Sequence, residues 1–173
     1  MENLEVKARP LTEWSFAYRL ALATEGKEPK NEEVPEGWVD RILKAEHSPI
    51  RAKMYLVEIR NCPTWVSVHL VRHKVGVEWY VRSRRDDRND NPVPRAEMPQ
   101  GAPVSLTMVA NAQALISISR KRLCRKASPE TREVWEAVRV AIRGIDPAMA
   151  AVMVPECSYR GLCPEMRPCF KSR

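Results

Sequence analysis

Glycine is scarce in this 173-residue chain, with six residues scattered along it and no G-x-G-x-x-G or Walker pattern among them. That excludes the usual glycine-built cradle for a dinucleotide or a nucleoside triphosphate. Histidine is limited to three residues. Neither H-E-x-x-H nor C-x-x-C occurs, so the commonest zinc signatures are missing too. No Ser-His-Asp or Cys-His pairing announces itself. Long apolar runs are also lacking: nothing approaches a membrane span, and Met1 to Pro10 has no apolar leader core. The expectation is a cytoplasmic protein with no membrane partner, whose five cysteines are thiols or metal ligands rather than disulfides. Phenylalanine is reduced to two residues against five Trp and four Tyr, a bias toward aromatics that carry a polar handle.

What is present is ordinary in proportion and unusual in charge. An apolar fraction of 44% and a charged fraction of 29% fit a globular chain, and this length suffices for one domain with an adequate core. The net charge of +7 and pI near 9.4 favour anionic partners, such as nucleotides, nucleic acid or acidic surfaces. There is no internal repeat and no low-complexity tract. The chain is read as a single domain over residues 1–173, with a Cys/Pro-rich tail at 155–173.

Periodicity sketches the elements. Leu4 to Ala8 alternates weakly and reads as an edge strand stopped by Pro10. Leu11, Trp14, Tyr18, Ala21 and Leu22 keep helical spacing, with Thr12 as N-cap and Gly26 past the end. Trp38, Val39, Ile42 and Leu43 mark a short helix leading to His47. Met54 to Ile59 alternates as a half-buried strand. Pro63 opens the first turn of an apolar helix that runs to Val71. Asp86 to Pro103, rich in proline and charge, reads as a mobile loop ordered by ligand. Val104, Met108, Ala112, Leu115 and Ile118 recur at helical spacing, which predicts one long helix from Pro103 to Leu123. Its cationic end, Arg120, Lys121, Arg122, Arg125 and Lys126, complements the helix dipole. Ser128 and Pro129 are N-cap and N1 of the next helix, whose stripe is Val134, Val138 and Ile142 and whose stop is Gly144. Asp146 and Pro147 restart a short helix that Pro155 closes.

The densest chemistry lies in Arg72 to Arg85. On a helix, His69, Arg72 and His73 stand at i, i+3 and i+4 and share a face. Glu78, Tyr80 and Arg82 then alternate with Val77, Trp79 and Val81 in a strand period. A lone charge run reads first as a solvated face. The aromatics Trp79 and Tyr80 inside this one, and the histidines before it, point to an anionic ligand, for which arginine offers planar bidentate donors and lysine a point charge. Metal at His69 and His73 is disfavoured by the neighbouring Arg72 and by Leu70 in place of a general-base glutamate. A structural zinc on Cys124, Cys157, Cys163 and Cys169 is the alternative use of the cysteines, which are spaced C-x5-C-x5-C at the end of the chain.

Arg72-His73-Lys74, followed by Arg84, resembles the RHR-x7-S-x-R signature of flavin-dependent thymidylate synthases. His47-Ser48-Pro49 resembles that family's H-S-P segment, and Asn111-Ala112-Gln113-Ala114-Leu115 its N-A-R-S-L helix. Arg122-Leu123-Cys124, with Ala127, Glu130 and Arg132, resembles its R-L-x-x-x-A-Q-W-E-I-R segment. The four pieces stand in the family's order, from about Lys44 to Arg132. The sequence departs from the motifs at Lys74, Tyr80 and Arg82, where the family has Arg, Glu and Ser. It has His69 in place of a glutamine, and Ser128-Pro129-Glu130-Thr131-Arg132 in place of Q-W-E-I-R.

The resemblance implies an α+β fold with a small, mainly antiparallel sheet and a helical layer. It implies a homotetramer whose active sites form between subunits, FAD as cofactor, and NADPH and 5,10-methylenetetrahydrofolate as co-substrates. The implied reaction is conversion of dUMP to dTMP, or C5 modification of another pyrimidine deoxynucleotide monophosphate such as dCMP. By position, His47, Arg72, His73, Lys74 and Arg122 fall on flavin-contacting elements. His69, Tyr80, Arg82, Ser83 and Arg84 fall on the nucleotide's, and Arg132 on the arginine that binds and polarises the pyrimidine. In a reading of another class, the basic stripe with Trp79 and Tyr80 stacks the bases of a nucleic acid, a partner the resemblance disfavours.

Overall fold

The computed structural model describes residues 1, 3–29, 31, 33–88 and 93–169. Strands β1 (Glu5–Pro10), β2 (Met54–Pro63), β3 (Val77–Val81) and β4 (Pro103–Asn111) form one sheet in the order β1-β2-β4-β3. Every neighbouring pair is antiparallel. The helices are α1 (Trp14–Thr24), α2 (Trp38–Ala45), α3 (Thr64–Leu70), α4 (Ala112–Arg122), α5 (Pro129–Arg143), α6 (Pro147–Val152) and α7 (Glu156–Arg160). The α+β expectation, a small antiparallel sheet under a helical layer, is what the chain adopts.

The single long helix expected over Pro103 to Leu123 is instead a strand followed by a helix. Val104, Met108 and Ala112 are four apart, a spacing that satisfies a period of two as well as one of 3.6. The residues between them decide. Leu106 and Ala110 are buried with Val104 and Met108, while Ser105, Thr107 and Val109 face the other way. Asn111 then starts α4, its side chain accepting from the Ala114 amide at 2.8 Å. A second difference is at the first helix: α1 has Glu13, not Thr12, as its N-cap. Thr12 Oγ1 donates to the Ala52 carbonyl and accepts from the Met54 amide, so it joins the chain to β2.

The core lies on one face of the sheet. Tyr55, Val57 and Ile59 of β2 and Leu106, Met108 and Ala110 of β4 point into it, in register. Helices α3 and α5 pack on that face. Trp135 of α5 is fully buried, and its indole N–H donates to Ser119 Oγ of α4 at 2.9 Å. Burying each large apolar side chain here contributes about 1.5–3 kcal/mol.

A polar knot pins the outer helices. Asp146, the N-cap of α6, accepts from Trp14 Nε1 and from the Tyr55 hydroxyl, each at 2.7 Å, and from the Met149 amide at 3.0 Å. Beside it the ammonium of buried Lys53 lies over the Trp14 and Tyr55 rings and donates to the Thr12 carbonyl at 2.5 Å. Its pKa is lowered by burial, against the opposing pull of Glu13 and Asp146.

Two expectations about the loop and the tail meet the limits of the described residues. Between β3 and β4 there are single 3₁₀ turns at Asp86–Arg88 and Arg95–Glu97, and residues 89–92 of the expected loop lie outside the described residues. Pro155 follows α6 as expected and is itself the N-cap of α7, an element the sequence did not announce. The rest of the tail is described to residue 169. Among the described residues no helix is long and apolar enough to cross a membrane.

Candidate functional site

Helix α3 organises the cations, with one group at each end. It starts directly from β2 at Pro63, its N-cap, rather than with Pro63 in its first turn. It ends at Leu70, before Arg72 and His73, so these do not share a helical face with His69 as their spacing suggested. Instead the chain turns: the His73 amide donates to the Leu70 carbonyl at 3.0 Å, and Gly76 sits at φ +71°. A Cβ on Gly76 would lie 2.6 Å from the Asn111 side chain, while the Asn111 amide donates to the Gly76 carbonyl at 2.9 Å. Asn111 therefore caps α4 and also closes the turn that carries the cations into β3.

At the C-terminal end of α3 three elements converge. Arg122, in the last turn of α4, donates from Nε to His73 Nε2 at 2.8 Å and from Nη2 to the His69 carbonyl at 2.7 Å. Trp79 of β3 donates its indole N–H to the His73 carbonyl at 2.9 Å. Because the Arg122 Nε–H has only a donor's role, His73 Nε2 must be the unprotonated nitrogen, and the ring is a neutral acceptor. Burial, then the positive charges of Arg122 and Arg72, push the His73 pKa down to about 4. Burial and Arg72 lower that of Arg122 as well. No carboxylate among the described residues pairs with Arg72, Lys74 or Arg122. Two residues earlier on α4, Arg120 is by contrast neutralised by Glu46 and lies 3.6 Å over the Tyr159 ring. Clustered positive charge without a counter-charge is costly for a chain to maintain and is what a phosphate-bearing ligand would relieve.

The other predicted residues are distributed around this centre. His69 is half-buried, edge-on to Trp65 with ring centres 5.5 Å apart, and its Nδ1 lies 3.1 Å from Thr131 Oγ1 of α5. His47 is exposed at the start of the Ser48–Ala52 3₁₀ turn. The preceding Glu46 is tied to α4 by Gln113 and Arg120, so His47 is held on the α4 side. Lys74 is exposed along a hollow bordered by Val71, Val77, Glu78, Trp79 and Val81.

At the N-terminal end of α3, Arg84 turns inward. Its Nη2 donates to Thr64 Oγ1 at 2.9 Å and to the Pro103 carbonyl at 2.7 Å, and its Nη1 lies 3.4 Å from Met98 Sδ. Strand β3 ends at Val81, so Arg82 and Arg84 do not share a strand face as their spacing implied. Tyr80 and Arg82 are exposed, and Ser83 Oγ accepts from the Arg85 amide. Arg132 is half-buried and opens on a separate hollow between Leu123, Glu133, Glu136, Arg139 and Pro155. Within one chain, His69, Arg72, His73 and Arg122 therefore come together, and Arg84 and Arg132 stand apart from them.

Sequence reasoning singled out Trp79 as an aromatic for a ligand but not as the donor to the His73 carbonyl, and named Thr131 only within a segment that departs from the motif, not as a partner of His69. The cysteine alternative finds no support in the geometry. Among the described residues no three His, Cys, Asp or Glu side chains stand together to hold a metal. Cys62 is buried, and burial alone pushes its thiol up to about 12, which makes it inert at neutral pH.

No protein-family profile matches the sequence, and no curated protein does. Solved structures match the fold. A UMP/dUMP methylase, PolB from Streptomyces cacaoi bound with 5-Br dUMP, superposes with a TM-score of 0.69 at 14% identity, over 87% of this chain and 94% of that one. Flavin-dependent thymidylate synthase ThyX from Helicobacter pylori, complexed with FAD and dUMP, gives 0.66 at 15% identity, over 81% and 94%. A second structure of that enzyme with the same ligands gives 0.62 at 14%, over 84% and 99%. The chain thus has the fold of the flavin-dependent thymidylate synthases, at a sequence distance where fold is all that the likeness establishes.

Proposed function

We propose that this protein is a flavin-dependent enzyme that methylates C5 of a pyrimidine deoxynucleotide monophosphate. Its substrate is dUMP, its one-carbon donor 5,10-methylenetetrahydrofolate and its reductant NADPH. The observation that carries this reading is the cationic array of Arg72, Lys74 and Arg122 without a carboxylate partner, at the helix end where the sequence motifs fall. The donor set fits FAD: the guanidinium groups of Arg72 and Arg122 and the ammonium of Lys74 suit a pyrophosphate, and His47 joins them by the position of its motif alone. When bound, FAD supplies the redox chemistry that turns a transferred one-carbon unit into a methyl group.

The chain's own residues bind, orient and polarise. Arg84, with Arg82 and Ser83 beside it, takes the nucleotide phosphate by exchanging its carbonyl partners for phosphate oxygens. His69 and Tyr80 face the base. Arg132 stabilises the negative charge that grows on the ring as C5 becomes nucleophilic, an interaction strongest in the transition state. Arg132 opens on a hollow separate from Arg122, which supports a homotetramer in which one subunit completes the site of another. A second reading, the same chemistry on another pyrimidine nucleotide such as dCMP, is favoured by the altered base-facing residues His69 and Tyr80.

The purified protein should be yellow with a flavin spectrum and should form dTMP from dUMP with the full set of cofactors. Arg132→Ala should keep its flavin and lose turnover by roughly two to three orders of magnitude. A colourless protein that binds oligonucleotides with a steep salt dependence would replace the enzyme with a nucleic-acid binder.

A further inference from the structure

Strands β1 and β3 are the two free edges of the sheet, and the sequence treats them differently. Edge β1 carries Glu5, Lys7 and Arg9 on its exposed face and ends in Pro10, devices that discourage a further strand. Edge β3 has no proline and no bulge, and it exposes Tyr80 at 62% and Val81 at 44%. The turn before it exposes Val75 almost completely. An open hollow bordered by Val71, Lys74, Val77, Glu78, Trp79 and Val81 lies beside the strand.

The ladder with β4 fixes which main-chain groups this edge offers. The Asn111 amide donates to the Gly76 carbonyl and the Arg82 amide to the Ser105 carbonyl, each at 2.9 Å. In an antiparallel pair a residue turns its N–H and its C=O to the same neighbour, and the next residue turns both away. Gly76, Glu78, Tyr80 and Arg82 therefore face β4, while Val77, Trp79 and Val81 offer their groups outward. Among the described residues nothing bonds to those outward groups. On the exposed face of the same stretch, Glu78 and Arg82 flank Tyr80. Neither charged side chain has a partner among the described residues.

We propose that β3 is a joint between two copies of this chain, paired antiparallel about a two-fold axis at Tyr80. In that register Trp79 and the partner's Val81 exchange both main-chain hydrogen bonds, and the symmetry repeats the exchange. Glu78 stands opposite the partner's Arg82, and Arg82 opposite the partner's Glu78, so the edge complements itself in charge. No other centre does this. An axis at Glu78 or Arg82 opposes like charges, and one at Trp79 or Val81 never brings Glu78 to Arg82. The two Tyr80 rings meet across the axis, the partner's Val81 covers the hollow beside Trp79, and the two four-stranded sheets become one. The joint goes beyond the nucleotide reading and does not rest on it, because no ligand takes part.

The test uses the full-length chain without added ligand. A two-fold at Tyr80 sets the two Cα atoms of that position about 4.5 Å apart, a spacing that a disulfide spans. Tyr80→Cys should therefore give a covalent dimer under mild oxidation, with the link mapped by mass spectrometry to position 80 in both copies. Glu78→Cys should link through position 78 only when mixed with Arg82→Cys. In sedimentation, Glu78→Arg and Arg82→Glu should each weaken the contact by about tenfold, and the double variant, which exchanges the charges, should restore it. A parent that is monomeric at micromolar concentration overturns the inference, whatever the variants do. A Tyr80→Cys protein linked only through its native cysteines overturns it equally, as does an oligomer that neither charge reversal weakens. None of these measurements uses FAD or a nucleotide, so the enzymatic reading is judged separately, by flavin spectrum and turnover.

Discussion

His73 is unusual among the residues of the site in being held neutral by its neighbours. Its pKa falls from 6.5 to about 4, through burial first and the charges of Arg122 and Arg72 next. The unfolded chain therefore binds a proton that the native ring refuses, between pH 6.5 and about 4. The contribution to stability is fully present above that window and is lost as pH falls through it. Melting temperature measured across this range should decline, and His73→Gln, which cannot titrate, should flatten the decline. Gly76 is the other residue whose identity follows from geometry. At φ +71°, with Asn111 2.6 Å from the place of a Cβ, Gly76→Ala meets both backbone strain and a clash. Strain alone costs about 1–2 kcal/mol, so chemical denaturation should show at least that loss. It should also show weaker anion binding, because the turn aims Arg72 and Lys74.

Among the elements, α3 and α6 matter most, for different reasons. Helix α3 has only seven residues, about 10 Å of axis at 1.5 Å per residue, yet it separates Arg84 from the Arg122–His73 group. That length is suitable for a ligand with two anionic ends or for two ligands side by side. Helix α6 is short and owes its position to Asp146. Three donors converge on that carboxylate, and Tyr55 is fully buried. The Tyr55 pKa is pushed well above its usual value by burial and by Asp146, which keeps it a donor. Asp146→Ala would strand two ring donors and leave Glu13, 3.8 Å away, as the remaining anion beside the Lys53 ammonium. The expected loss is about 3–5 kcal/mol, read from the urea midpoint. Asp146→Asn, which retains an acceptor, should lose less.

For the molecule as a whole, the excess of positive charge, +7, couples ligand binding to stability and assembly. The charge of Arg72 acts unfavourably on Arg122, a repulsion that an anion joining them would relieve; under the proposed function that anion is FAD, with the nucleotide beside it. Ligand at a hundred times its dissociation constant should add about 2.7 kcal/mol by mass action. Thermal melts with and without FAD measure this. Arg72→Ala should bind FAD more weakly while leaving the ligand-free melting temperature unchanged or higher, since one repelling charge is gone. Sedimentation at low protein concentration should show a tetramer that FAD and dUMP hold together. A stable monomer that binds both ligands fully would refute sites shared between subunits.

Much of this was legible in the order of residues alone. The edge strand expected over Leu4 to Ala8, which in the fold runs from Glu5 through Pro10 instead of stopping at the proline, the helices begun by Ser128-Pro129 and Asp146-Pro147, and the cationic stretch around Arg72 follow from local rules. Proline, a capping oxygen and a charge run act on neighbours within a turn. The partition of Pro103–Leu123 into β4 and α4 could not be read this way. Positions four apart fit both periods, and only β2 on one side and β3 on the other supply the ladder that makes a strand the answer. The same holds for the site. Sequence put Arg72, His73 and Arg122 under suspicion one by one, but long-range packing alone brings α4 onto the α3 turn and joins Arg122 to His73, 49 residues away. Thr131, buried and 62 residues from His69, became visible only there, because a hydroxyl's partner is chosen by tertiary proximity and by the need to satisfy every buried donor.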